Sequence, residues 1–251
     1  MSNPVKPPAK RADQLGFRPK RFWTQADITP VETGISVTLD GRPVRTPSGA
    51  VLTLPTRALG QAVAAEWQAV QTHVDYDAMP LTRLGFASID RMNSLADETI
   101  AEVLRYAQTD VVCYPSAYPQ SLFAREQVAW LPLLAWAQDE LGLQFHQNLT
   151  LIHTPQPQPT LDRLEALVRD MSAGERAGLM MAVPVFGSII LALALWRSHV
   201  TGEAALAASR IGETFQSDIW GHDAEAAQRI DAIQTLAVNL QTWFEGLKVH
   251  D

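Results

Sequence analysis

Two places in this chain carry residue types that could act as nucleophile or base. Cys113 is the single cysteine among 251 residues, and an ionised thiol can attack an electrophilic carbon. His222 followed by Asp223 could supply a base and the carboxylate that orients it. Each also has a structural reading. A cysteine that follows two valines packs as a small hydrophobe, and Asp223 stands where a helix N-cap is expected. A small hydrolase or transferase using Cys113 or His222 would need a pocket joining residues remote in sequence, and no family-type nucleophile signature surrounds Cys113. The six histidines show neither H-x-x-x-H nor H-E-x-x-H spacing, so no metal site is expected. There is no G-x-x-x-x-G-K-S/T run to cradle phosphates and no G-x-G-x-x-G after a strand. On these grounds no cofactor and no catalytic residue is assigned.

The elements that would position a site begin with mixed strand and helix. Residues 35–39 alternate apolar and polar side chains, Asp40-Gly41 supplies the positive φ of a tight type I′ turn, and 42–46 returns as the partner strand. Pro47-Ser48-Gly49 turns again before a third strand at 51–54, giving an antiparallel meander. The next helix starts after Pro55 with Thr56 as N-cap, and Leu59, Val63, Trp67 and Val70 share one face. Trp67 is read as a core plug between that helix and the sheet, and Gly41 as a turn position.

The remainder reads as helical. Ser94 with Asp97 forms a capping signal for a helix that buries Ile100, Val103, Leu104 and Ala107. A helical stretch at 121–142 is expected to break or kink at Pro132. Residues 154–159 read as a boundary or linker, followed by a short helix at 160–171. Residues 179–196 carry no charge, which meets the length of roughly 18 apolar residues that a membrane span needs. Pro184, Gly187 and Ser188 interrupt that run and Ser172 with Glu175 forms a capping box ahead of it, so a buried central helix is expected and no stable membrane insertion. Two more helices follow, 203–220 with Ala204, Ala208, Ile211, Phe215 and Ile219 inward, and 223–246 with Ile230, Ile233, Leu236, Leu240 and Phe244 inward. The expected class is therefore α+β: a small N-terminal α/β domain at 21–92 and a larger all-helical C-terminal domain at 93–251.

Charge divides the chain differently. Its formal net charge is -7, yet Lys6, Lys10, Arg11, Arg18, Lys20 and Arg21 outweigh Asp13 at the start, so the acidic excess lies in the body. An acidic body repels nucleic acid and suits a basic protein partner. Residues 1–20 read as a flexible basic arm. An RNA-binding tail is the other reading, and it lacks aromatics until Phe17. Pro4, Pro7, Pro8 and Pro19 oppose the amphipathic helix of a transit peptide. One cysteine excludes an intramolecular disulfide framework and fits a reducing compartment.

Several stretches carry a further reading as an ordered set. They are Arg21-Phe22-Trp23, Asp40-Gly41-Arg42-Pro43-Val44, Ala65-Glu66-Trp67, Met79-Pro80-Leu81-Thr82, Thr109-Asp110-Val111-Val112-Cys113-Tyr114, Trp130-Leu131-Pro132-Leu133-Leu134-Ala135-Trp136 and Trp220-Gly221-His222-Asp223-Ala224-Glu225. Across roughly residues 19 to 245 the set resembles the ATP12 family, assembly chaperones of the F-type ATP synthase that bind its unassembled α subunit. The resemblance implies a two-part protein that masks the α subunit until the neighbouring β subunit arrives, without an active site. It also implies a functional acidic residue in the late stretch, which is Glu225, with Asp223 as the alternative match. Glu225 can equally be a first-turn carboxylate that stabilises its helix dipole. Arg83 lies beside a matching stretch as a possible partner contact, and Trp220 is placed with the structural residues. Family members occur in bacteria and mitochondria; bacterial cytoplasm is the expected compartment here, with the mitochondrial matrix as alternative.

Overall fold

The computed structural model describes residues 18–150, 152–220 and 224–248, the last segment without the side chains of 224–229. The expected basic arm is thus outside the described residues as far as position 17. Pro19 to Arg21 lie against the segment after the first helix: the Val74 N–H donates to the Pro19 carbonyl at 2.8 Å and the Arg21 N–H to the Thr72 carbonyl at 2.8 Å.

The α+β class is what the structure has, a four-stranded antiparallel sheet followed, among the described residues, by ten α-helices. The sheet is built from β1 (Ala26–Val31), β2 (Gly34–Leu39), β3 (Arg42–Pro43) and β4 (Thr53–Leu54). β2 is central. β1 pairs with one edge of it from Val31↔Gly34 to Ala26↔Leu39, while β3 and β4 share its other edge at opposite ends. Sequence reading missed β1, whose side chains are mostly exposed and which contains Pro30. The Asp40-Gly41 turn is as expected, with φ of 47° and 78°. The Asp40 carboxylate also accepts the N–H groups of Thr24 and Gln25 at 2.9 to 3.1 Å, and those bonds hold its pKa below the usual carboxylate value.

The free edge of β1 is closed chemically. Gln68 Oε1 accepts the Ala26 N–H, the Asp27 carboxylate takes the Ile28 N–H, and Pro30 has no N–H to offer. An edge whose alternate donors are all used or missing is a poor template for an added strand.

Helix α1 (Arg57–Ala69) starts as expected, the Thr56 hydroxyl accepting the Leu59 N–H, and buries Leu59, Val63 and Trp67 against the sheet. α2 (Pro80–Asp90) packs on α6 and α10, and α1 also meets α10, so one apolar core runs from Trp23 to Phe244. The turn at 91–95 separates α2 from α3 (Ala96–Gln108). Ser94 does not cap α3: its hydroxyl turns back to the Arg91 carbonyl, and Leu95 occupies the cap position. α4 (Gln120–Leu141) runs through Pro132 without ending and stops at Gly142.

The segment read as a linker is packed. Gln156 is buried and its amide bonds both the N–H and the carbonyl of His146 before α5 (Gln158–Asp170) begins. The charge-free run is two helices instead of one. α6 (Ala173–Phe186) opens with the Ser172/Glu175 capping box, Gly187 at φ 59° breaks the chain, and α7 (Ile189–Trp196) is buried at every residue. It is wrapped by α3, α4, α6, α8 and α10. Among the described residues no helix is long and apolar enough to cross a membrane.

The next expected helix is also divided, into α8 (Gly202–Ser209) and α9 (Ile211–Trp220). The break at Arg210 shifts the phase, so Ala205 and Leu206 are buried where Ala204 was expected, and Ile219 is exposed. α10 (Ala224–Leu247) buries Ala237, Leu240, Trp243 and Phe244, with Ile233 and Leu236 partly covered and Ile230 exposed.

Candidate partner-binding site

Polar side chains that sequence reading passed over set the frame of the site by closing helix ends made elsewhere in the chain. Arg21 directs its guanidinium to the carbonyls of Trp23, Thr24, Gln68 and Val70, satisfying acceptors at the end of α1. Glu66 accepts the N–H groups of Leu81 and Thr82 at 2.8 and 2.7 Å and the Thr82 hydroxyl at 2.7 Å. It is thus the N-terminal cap of α2, which has none from its own Met79. Burial raises the Glu66 pKa, and the three donors act against that rise. Glu126 does the same for the turn before α4, holding both the N–H and hydroxyl of Ser116.

Asp110 is the most deeply placed of these groups. One carboxylate oxygen accepts the Val112 N–H at 2.9 Å and the other the Ile190 N–H at 3.0 Å, so it joins the turn after α3 to the start of α7. Desolvation pushes its pKa up to about 6, against hydrogen bonds from Ile190, Ser188, Val112 and Ile189. Beside it the Cys113 thiol is buried, and desolvation reinforced by the Asp110 charge drives its pKa far above the ordinary value. Such a thiol is not poised as a nucleophile. No cluster of three potential metal ligands occurs among the described residues.

The expected site residues fall into three places. Trp67 is buried, 5% exposed, with its ring edge-on to Trp23 at 5.4 Å and to Tyr76 at 6.3 Å; Gly41 is at the turn of β2 and β3. Trp220 ends α9 and is 81% exposed, its indole N–H donating to Gln216 Oε1 on the same helix. Arg83 is half-exposed on α2, its Nη1 3.3 Å from an Asp77 oxygen, and an ion pair in that setting is weak and easily exchanged.

Arg83 lines an apolar cavity of about 510 Å³ between α2, α6 and α10, with Met181, Ala232, Ile233 and Leu236 on the far wall. Glu225 lies in the first turn of α10, seven residues and two helical turns before Ala232; its side chain is not among those described. His222 and Asp223 lie outside the described residues. The structure thus brings Arg83 and the middle of α10, Ala232 to Asn239, to one groove, which Trp67 and Gly41 do not line.

A small antiparallel sheet followed by a mainly helical body is an architecture that this chain shares with solved chaperone structures that superimpose on it. The crystal structure of Atp12 from Paracoccus denitrificans matches with a TM-score of 0.83 and 35% identity, covering 92% of this chain and 99% of that one. The Atu1473 protein of Agrobacterium tumefaciens matches at 0.84 and 32% identity, over 92% and 87%. The mitochondrial protein atp12 of Schizosaccharomyces pombe is 26% identical over 231 residues, 87% of this chain and 78% of that protein. The family model of the ATP12 chaperone protein matches residues 20–138, which ends before the stretch from Trp220 to Glu225. The chain belongs to the ATP12 chaperone family.

Proposed function

We propose that this protein is an assembly factor of the F-type ATP synthase that binds the unassembled α subunit and covers the face later occupied by β. Membership of the ATP12 family, supported by Atp12 structures that align over nearly the whole chain, carries this reading. A free subunit of an obligate ring exposes a large apolar interface prone to aggregation. Masking it needs complementary shape and charge and no chemical step, which fits a chain whose only thiol is buried. The groove between α2 and α10 is the proposed acidic-residue site: Glu225, with Asp223 as the alternative, pairs with a basic patch on the α subunit, and Arg83 borders the same contact. The compartment is the bacterial cytoplasm, or the mitochondrial matrix if the source is eukaryotic.

Two measurements test it. The purified protein retains α subunit in a pull-down and does not retain β; equal retention of both refutes the specificity. Glu225→Lys keeps the melting temperature and circular dichroism but weakens α capture at least tenfold, about 1.4 kcal/mol. Undiminished capture at physiological salt assigns Glu225 to the helix dipole alone.

A further inference from the structure

The outer face of α4 is apolar from Ala124 to Ala135, and none of the described residues covers it. Ala124, Val128, Leu131, Pro132 and Ala135 are all exposed, Val128 at 79% and Leu131 at 50%. Their spacing of four, three, one and three residues puts them on one stripe of a helix. The opposite side of α4 buries Trp130, Leu133 and Ala137, so the core has no use for the stripe. Pro132 adds a second feature, since it has no N–H for the Val128 carbonyl one turn back, which leaves an acceptor on the apolar surface. Arg125 binds Asp218 at 2.8 Å and holds the last turn of α9, which carries the exposed Ile219 and Trp220, beside α4.

The end of the stripe carries charge in a place that does not favour it. Asp139 and Glu140 are exposed in the last turn of α4, where the helix dipole is negative and where basic residues are absent. Neither forms an ion pair among the described residues. Arg163, the nearby cation, spends its Nε on the Leu141 carbonyl. Acidic groups at a helix C-terminus oppose the macrodipole. An apolar stripe that ends at the unpaired Asp139, with Glu140 on the adjoining side of the same last turn, complements an apolar surface with lysine or arginine at its margin, and repels an anionic lipid surface.

We propose that the α4 stripe, extended by the end of α9, is a docking surface for the client subunit, and that it takes an apolar subunit-interface patch whose edge presents a basic side chain to Asp139 and Glu140. This rests on the reading of the protein as a chaperone of the unassembled α subunit and assigns that client a second contact away from the α2/α10 groove. The closed edge of β1 fits the same picture, because that edge does not offer itself for strand addition.

The test uses full-length protein and purified α subunit, with β as control, in two double variants. Val128→Gln with Leu131→Gln removes the apolar contact at solvent-exposed positions and leaves the melting temperature unchanged; α capture weakens at least tenfold. Asp139→Lys with Glu140→Lys places cations at the helix C-terminus, so the melting temperature holds or rises while capture weakens and its salt dependence falls. A merely structural role for those carboxylates does not produce stability and capture moving apart. Wild-type capture by both doubles overturns the proposal while leaving the chaperone reading intact. A wild-type dimer in light scattering that Val128→Gln with Leu131→Gln splits, with capture unchanged, overturns it in favour of a second copy. No α capture by the wild type overturns the chaperone reading and the docking surface together.

Discussion

Replacing Asp110 by asparagine isolates a buried charge on which two parts of the fold depend. In the wild type both carboxylate oxygens are engaged, with Val112 on the α3 side and Ile190 at the start of α7. The amide keeps one acceptor, so one buried N–H loses its partner at a cost of about 1–3 kcal/mol. The variant also loses a titration. Burial raises the Asp110 pKa from an ordinary 3.8 to about 6, so the folded protein holds a proton there between about pH 4 and 6 that the unfolded chain has released. Stability from this group is therefore fully present below about pH 4 and is lost as the pH rises through about 6. At about 1.4 kcal/mol per pK unit, the difference corresponds to about 3 kcal/mol. Glu66, raised in the same direction, and Asp40, Asp90, Glu102 and Glu175, all lowered, titrate in both proteins and cancel in the comparison. Urea unfolding followed by tryptophan fluorescence is measured for wild type and Asp110→Asn from pH 3 to 7. The difference in unfolding free energy shifts by about 3 kcal/mol across that range, with the wild type favoured on the acid side. Parallel pH profiles refute the argument, because they mean that the Asp110 carboxylate is as well solvated by its N–H donors as it is by water.

Three other outcomes are expected. Trp67→Ala empties a site flanked by Trp23 and Tyr76 and lowers stability by about 3–5 kcal/mol; an unchanged melting temperature contradicts the core role. Cys113 resists a thiol reagent such as DTNB in the native protein and reacts fully in denaturant, and native reactivity at the rate of a free thiol reopens the nucleophile reading. Calorimetric titration with Mg-ATP gives no specific heat, since no phosphate-cradling loop is present in the sequence; a micromolar isotherm contradicts the passive holder.

Local chemistry was readable from sequence, and chemistry between distant residues was not. Thr56 caps α1 three residues ahead of the N–H it accepts, and Ser172 with Glu175 closes its box within four residues, so a linear pattern reveals both. Ser94 has the same pattern and fails because its hydroxyl finds the Arg91 carbonyl first. Glu66 reaches 15 and 16 residues ahead and Asp110 reaches 80, distances at which a carboxylate in an apolar segment gives no hint of its target. The signal that could have found them is the mismatch itself, a charged residue in a segment otherwise destined for the core, which must be paired when buried. Those two, together with Arg21, also lie in the stretches that carry the family resemblance, and each ties a helix end to a remote part of the chain.

The same logic explains α4. Pro132 at its middle reads as a break or kink. That reading assumes that the apolar side chains around it are used by the chain's own core. In the fold Pro132 lies on the exposed stripe, where the carbonyl it leaves unpaired is on the solvent side and costs little. Periodicity can count the apolar faces of a helix but cannot say whether the second face belongs to this molecule or to another. For a chaperone that distinction is the function, and it becomes visible only when the core is seen to be complete without Val128 and Leu131.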